Sequence, residues 1–211
     1  MDKYQITIDS WNKAAEIYQE KFMYIDLYND TYDSFCESIA IKNASILEIG
    51  CGPGCITKYI HSKRPDFIID ATDVSFNMIQ LGKMNLPDIN FSVLDARNII
   101  TLTSKYNGIL CGFCLPYLSK EDTEKLIFDT SNLLDTNGKL YISWIEDDYS
   151  KSGMITNSLG DISFVYYHEL NYLLDFLKKA NFKLLKQFRK KYPNTGKSHS
   201  THFVIIAEKI S

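Results

Sequence analysis

Apolar and polar positions along the chain change period several times, and each change marks an element. Ile46, Leu47 and Ile49 form a short apolar run that stops in Gly50, Gly52 and Gly54. A run that short, closed by glycines, predicts a buried strand of a parallel sheet. A helix starts near Cys55, runs through Lys58, Tyr59 and Ile60, and is broken by Pro65. A second apolar run, Phe67 to Ile69, continues to an acid at Asp73, and Ser75 fits the N-cap of a helix reaching Lys83. Further strands are predicted over Ile89 to Leu94, Tyr106 to Cys111 and Lys139 to Ile145, with Asn137-Gly138 as the turn before the last. Ser119-x-x-Asp122 is a capping box, and the helix after it carries Leu126, Ile127, Leu133 and Leu134 on one face.

The ends of the chain read differently. Trp11 to Glu20 and Ile25 to Ala40 have helical spacing and are crowded with aromatic residues. Asp147 to Ser163 has little period and reads as a loop on the ligand side of the sheet. Glu169 to Ala180 is a helix with Leu170, Leu173, Leu174 and Leu177 on one face, capped by Asn181. Two strands follow, Lys183 to Lys191 and Thr201 to Glu208, joined by a turn around Pro193-Asn-Thr-Gly196. So short a connection makes them antiparallel. The alternation before them predicts an α/β fold, a parallel sheet with helices on both faces.

Composition narrows the function classes. At 211 residues the chain is one large domain, or one domain with a small lid. A net charge of −3 argues against a protein built around nucleic-acid phosphates. No run approaches the ~20 apolar residues of a membrane span. The start, Met1-Asp2-Lys3-Tyr4, lacks the pattern of a secretory signal, and five cysteines then read as reduced thiols of a cytoplasmic protein.

The chemistry concentrates where the first strand meets its glycines. Strand, glycine turn and helix together hold a nucleotide-like ligand beside a helix N-terminus. Asp73, 23 residues after Gly50, stands where a carboxylate accepts from both hydroxyls of a ribose. The spacing Gly-x-Gly-x-Gly differs from the pyrophosphate-binding Gly-x-Gly-x-x-Gly. Glu48, inside the strand, is unfriendly to a diphosphate and suits a ligand with an amino group and a positive centre.

Ile46-Leu-Glu-Ile-Gly-Cys-Gly-Pro-Gly54 resembles the first motif of the class I S-adenosylmethionine-dependent methyltransferases, and the resemblance extends from about residue 11 to residue 209. It implies a Rossmann-like, seven-stranded, mostly parallel sheet with an antiparallel C-terminal hairpin. It also implies a single methyltransferase domain over residues 1–211, with residues 1–43 a helical lid and 44–211 the core. S-adenosylmethionine is the implied cofactor and a small molecule the implied acceptor. Gly50, Cys51, Gly52 and Gly54 would line the methionine end, with Glu48 behind them. Asp73 would hold the ribose. Val74, Met78, Asp95 and Ala96 would surround adenine. Trp11-Asn-Lys-x-Ala-x-x-Tyr18 resembles the family's lid, which brings Tyr18 to the methionine end. Phe113 and Tyr117 would border the methyl group.

An activated methyl group makes the reaction a problem of placement. A carboxylate acceptor needs no base, whereas a hydroxyl or ammonium must lose a proton. His168 and Tyr117 are the candidate bases. The bland readings are a solvated ring at a helix start for His168 and an aromatic anchor for Tyr117. Those for Met78 and Asp95 are core packing and a turn cap. Phe113-Cys-Leu-Pro-Tyr117 faintly resembles the motif of nucleic-acid amino-methyltransferases but lacks the residue that would hold the amine. Arg189, Lys190 and Lys191, with Lys197, His199 and His202, form either a solvated hairpin tip or a clamp for an acidic substrate. Cys51, Cys55, Cys111 and Cys114 are structural thiols or, least in keeping with a bound cofactor, a zinc site, and Cys111-Gly-Phe-Cys114 has the spacing of a redox pair. A nicotinamide-dependent oxidoreductase and a non-catalytic cofactor-binding member of the fold are the competing functional readings.

Overall fold

The computed structural model describes residues 2–156, 160–193 and 199–210. Helices α1 (Lys3–Phe22) and α2 (Asn29–Ser38) precede β1 (Ser45–Ile49). Then follow α3 (Cys55–Lys63), β2 (Ile68–Asp73), α4 (Phe76–Asn85), β3 (Asn90–Val93) and β4 (Tyr106–Cys111). The second half holds α5 (Lys120–Leu133), β5 (Leu134–Glu146), β6 (Gly153–Thr156), β7 (Ile162–Val165), α6 (Leu170–Lys179), β8 (Phe182–Pro193) and β9 (His199–Lys209).

Seven strands form one sheet in the order β3-β2-β1-β4-β5-β9-β8. Only β9 runs against its neighbours, pairing antiparallel with both β5 and β8. The order turns back between β1 and β4, and a crevice opens there at the carboxyl ends of the strands. Alternate residues of β1 and β4 feed two cores. Leu47, Ile49, Ile109 and Cys111 pack under α5 and α6. Ile46 and Leu110 pack under α2 and α3.

Local chemistry sets the helix starts. The Ser75 and Ser119 hydroxyls accept from the backbone N–H of Met78 and Asp122, as N-cap side chains do. Asn181, at φ 60°, ends α6 in the left-handed conformation that asparagine tolerates.

Four expectations are corrected. The first helix starts at Lys3 rather than Trp11, because Asp2 caps it by accepting from the Tyr4 N–H. The second starts at Asn29 rather than Ile25. The presumed loop over residues 147–163 contains β6 and β7, an antiparallel pair laid against α1, where the Phe164 N–H donates to Thr7 Oγ1 at 3.0 Å. Asn137 has a turn-like φ of 64° yet lies inside β5, beside an irregularity in its pairing with β4. The final turn, apart from Pro193, falls outside the described residues, as do residues 157–159 of the former loop.

Gly82 fixes how closely α4 approaches β3. A Cβ there would lie 2.6 Å from Phe91 Cε1 and 2.8 Å from Cδ1. Alanine gains about 1 kcal/mol of helix propensity, but displacing a packed ring costs about 1–3 kcal/mol. Gly82→Ala is expected to destabilise the protein by up to ~2 kcal/mol in urea unfolding, and a more stable variant would show that the Phe91 ring yields freely.

Candidate active site

The turn after β1 is made of left-handed glycines: φ is 71° at Gly50, 55° at Gly52 and 86° at Gly54. Side chains are strained in that region, so the sequence has none there. The N–H groups of Gly50 and Cys51 both donate to Thr72 O, at 2.8 and 2.9 Å, which lashes the turn to β2. A Cβ on Gly50 would lie 3.0 Å from Cys114 Cβ, and one on Gly52 would lie 3.6 Å from Tyr18 Cε1. The turn is thus enclosed between the loop after β4 and helix α1.

Asp73 ends β2 beside it. Its Oδ2 accepts from the Gly52 N–H at 2.9 Å and its Oδ1 from the Ser75 N–H at 2.8 Å. Burial raises its pKa above the usual carboxylate value, and the backbone donors oppose that rise. One carboxylate therefore joins the glycine turn to the start of α4 and has a lone pair left on each oxygen.

A cavity opens above these groups and encloses, with its mouth, about 870 Å³. Gly50, Gly52, Asp73, Val74 and Met78 form one wall; Leu94, Asp95, Ala96 and Arg97 form another. Gly112, Phe113, Cys114, Tyr117 and Leu118 follow β4, and α1 supplies a roof of Tyr4, Thr7, Ile8, Trp11 and Tyr18. The Trp11 ring meets Tyr18 edge-on at 5.4 Å and Tyr117 at 5.3 Å. Its Nε1 is buried without a hydrogen-bond partner among the described residues. Burial pushes the hydroxyls of Tyr18 and Tyr117 well above the ordinary phenol range.

The structure brings Tyr18, Gly50, Gly52, Asp73, Val74, Met78, Asp95, Ala96, Phe113 and Tyr117 to this cavity. Glu48, Cys51 and Gly54 lie behind it. Glu48 is fully buried; its Oε2 accepts from Thr57 Oγ1 at 2.6 Å, and its Oε1 has no partner among the described residues. Burial raises its pKa to about 8. The Cys51 thiol turns to Gly52 O, and the position of a Cβ on Gly54 would press on Phe91.

Asp95 both lines the cavity and caps a turn. Its Oδ1 accepts from the Arg97 N–H at 2.9 Å, and its Oδ2 takes the Arg97 guanidinium at 2.5 Å. That guanidinium also lies 4.0 Å over the Tyr4 ring.

His168 is not at the cavity, nor is it a solvated ring. It is completely buried, its Nε2 2.8 Å from Leu115 O and its Nδ1 2.7 Å from the Tyr172 hydroxyl. Nε2 must donate to the carbonyl, so Nδ1 accepts, and both nitrogens are committed. Burial holds its pKa low. The ring ties the loop after β4 to α6.

The cysteines do not form a metal centre. No group of three or more His, Cys, Asp or Glu residues is placed to hold an ion among the described residues, and all five thiols are free. Two of the hairpin cations are already neutralised: Arg189 pairs with Glu146 at 3.1 Å and Lys190 with Asp30 at 2.6 Å. His202 is buried rather than at a solvated tip, and Lys197 lies outside the described residues.

Sequence reasoning missed Tyr4, Thr7, Ile8 and Arg97. The first three recur with Trp11 and Tyr18 at helical spacing, a stripe that shows once α1 is known to begin at Lys3.

Comparisons agree with this geometry. Residues 46–138 match a family model described as a methyltransferase domain. The 235L protein of Invertebrate iridescent virus 6, named as a methyltransferase, is 31% identical over 137 residues, which is 64% of this chain and 49% of that protein. The chain thus spans about half of that relative, and less of the next two curated relatives. An S-adenosylmethionine-dependent methyltransferase from Clostridium acetobutylicum superposes with a TM-score of 0.73 at 14% identity, covering 95% of this chain and 99% of that one. The magnesium protoporphyrin IX methyltransferase of Synechocystis, solved with bound S-adenosylmethionine, gives 0.72 at 16%, covering 99% and 98%. At these identities the two structures establish the fold.

Proposed function

We propose, for a chain that belongs to the class I S-adenosylmethionine-dependent methyltransferases, that it moves a methyl group from S-adenosylmethionine to a small-molecule acceptor. The observation that carries this reading is the joining of the glycine turn and the Asp73 carboxylate in one cavity. The residues suit the cofactor. Asp73 is fixed by two backbone donors and keeps acceptor capacity for a ribose diol. Gly50 and Gly52 present bare backbone to the methionine end, with Cys51, Gly54 and Glu48 supporting the turn from behind. Val74, Met78 and Ala96 offer an apolar slot for adenine, and Asp95 an acceptor for its amine. Tyr18 and Trp11 close the roof, so residues 1–43 act as the lid on the core of 44–211.

The cofactor supplies an activated methyl group; the chain supplies alignment and a dry cavity. Phe113 and Tyr117 stand where the acceptor would approach. The acceptor atom is oxygen, nitrogen or a carboxylate. An acidic substrate draws less support than a neutral one, because Arg97, Arg189 and Lys190 already have carboxylate partners. Five free thiols suit a reducing cytoplasm, and no helix among the described residues is long and apolar enough to cross a membrane. No observation favours the nicotinamide-dependent or non-catalytic readings.

Calorimetric titration with S-adenosylmethionine, S-adenosylhomocysteine and reduced nicotinamide dinucleotide tests the proposal. Micromolar binding of the first two is expected. A folded protein that binds neither would overturn it.

A further inference from the structure

We propose that the acceptor is a neutral amine nitrogen, methylated without a base from the protein and held in a cage of the Trp11, Tyr18, Phe113 and Tyr117 rings. The inference rests on the methyltransferase reading and narrows it to the class of acceptor.

All four rings line the cavity. Trp11 stands nearly perpendicular to two of the others, at 86° to Tyr18 and 76° to Tyr117, with centroids 5.4 and 5.3 Å away. Rings set near right angles form a corner rather than a stack. Two of the four are backed by further rings: Phe22 lies 4.5 Å from Tyr18, and Tyr28 lies 4.9 Å from Phe113. The cage also stands in the right place. Tyr18 borders Gly52, Cys114 borders Gly50, and Tyr117 ends the short turn that follows Cys114. On the proposed reading these glycines meet the methionine end of the cofactor, where the methyl group is carried. The face of an aromatic ring is the negative side of its quadrupole and attracts a cation, more strongly where water is excluded.

The charged groups of the cavity argue against the other acceptor classes. A carboxylate or thiolate brings a negative charge that needs a cation. Among the described residues Arg97 is the one cation lining the cavity, and Asp95 holds it at 2.5 Å. A hydroxyl loses a proton as it is methylated and needs a base. Burial holds the Tyr18 and Tyr117 hydroxyls well above the ordinary phenol range, and burial with the Asp122 hydrogen bond does the same for Tyr4. The neighbouring Cys111 thiol and burial raise Cys114. These four groups are protonated at neutral pH and are not bases. Asp73 is committed to two backbone donors, and His168 lies outside the cavity with both nitrogens occupied. The titratable groups that α1, β2 and the loops after β3 and β4 turn toward the cavity are thereby accounted for.

A neutral amine needs neither a cation nor a base. Its nitrogen lone pair forms the bond to the methyl carbon, and the carbon–sulfur bond breaks with its electron pair left on sulfur. The positive charge passes from sulfur to nitrogen, and no proton moves in the step. The methylammonium product loses its proton to solvent after it leaves. The rings face positive charge both before and after the transfer, which is what a cage without a free cation favours.

The test uses the full chain loaded with S-adenosylhomocysteine, which fills the donor site. Choline and its neutral isostere 3,3-dimethylbutan-1-ol, in which carbon replaces the charged nitrogen, are titrated by calorimetry. Choline is expected to bind about tenfold tighter, within the range for a cation over desolvated rings. Trp11→Leu should reduce that preference below threefold, and Trp11→Phe, which keeps a ring, should retain most of it. In turnover with S-adenosylmethionine and a panel of amines, phenols, thiols and carboxylic acids, the methyl group is expected on nitrogen. For each amine turned over, kcat/KM should rise about tenfold per pH unit up to the amine's own pKa and then level off. A bend at one pH common to all the amines would reveal a base in the protein and overturn the proposal. It is equally overturned by a wild-type preference for choline below threefold, by a Trp11→Leu protein that keeps the full preference, or by a phenol, thiol or carboxylic acid methylated faster than every amine. Each of these outcomes, with S-adenosylhomocysteine still bound, leaves the methyltransferase reading standing. Failure to bind S-adenosylhomocysteine overturns that reading, and this one with it.

Discussion

Asp73→Ala is expected to weaken S-adenosylhomocysteine binding by about 100-fold or more in calorimetry. The carboxylate acts twice. It accepts from Gly52 and Ser75, which sets the glycine turn against the start of α4. On the proposed reading its remaining lone pairs receive the ribose hydroxyls. A hydrogen bond to a charged group contributes about 1.5–3 kcal/mol, so losing two costs at least ~3 kcal/mol, or roughly two decades in affinity. The alanine also leaves the Gly52 N–H in need of a partner, which loosens the turn. Asp73→Asn should fall between, since an amide keeps one acceptor oxygen. Asp88→Ala, at an exposed position, should bind within threefold of wild type. An Asp73→Ala protein that binds within fivefold would show that the ribose lies elsewhere.

Glu48→Gln should stabilise the protein in a way that depends on pH. Burial raises the Glu48 pKa from its ordinary 4.5 to about 8. Between those values the folded state holds a proton that the unfolded state releases, so stability falls as pH rises through the window and levels off above it. The glutamine has no such proton. Its advantage over wild type should be near zero at pH 4.5 and largest above pH 8, where the upper bound is about 5 kcal/mol at ~1.4 kcal/mol per tenfold. About 2–4 kcal/mol is expected, because water can relax around the charge. His202, with its pKa lowered, tilts the curve the other way below its ordinary 6.5. The comparison is therefore made variant against wild type at each pH, in denaturant titrations at pH 5 and pH 8.5. An equal difference at the two pH values would show that Glu48 is ionised in the folded protein.

The legible parts of the fold were those encoded over a few consecutive residues. The β1 run, its glycines, Asp73 and the Ser75 and Ser119 caps each carry their reason locally, so the sheet and one wall of the cavity could be read in advance. What escaped depends on distant partners. His168 looks like an ordinary helix entry until Leu115 O, 53 residues away, takes its Nε2–H. Tyr28 and His202 carry no mark in the sequence that they meet. The first two turns of α1 bury Thr7 and Ser10, polar residues that blur the helical stripe. Strands β6 and β7 have four residues each, too few to display a period.

The roof of the cavity comes from one helix at the start of the chain, whereas every other lining residue lies between Gly50 and Leu118. The two parts are separate in the chain but meet through Trp11 on Tyr117 and Arg97 over Tyr4. Substitutions in α1 would reshape the roof of the cavity while the Asp73 carboxylate and the glycine turn keep their mutual hydrogen bond.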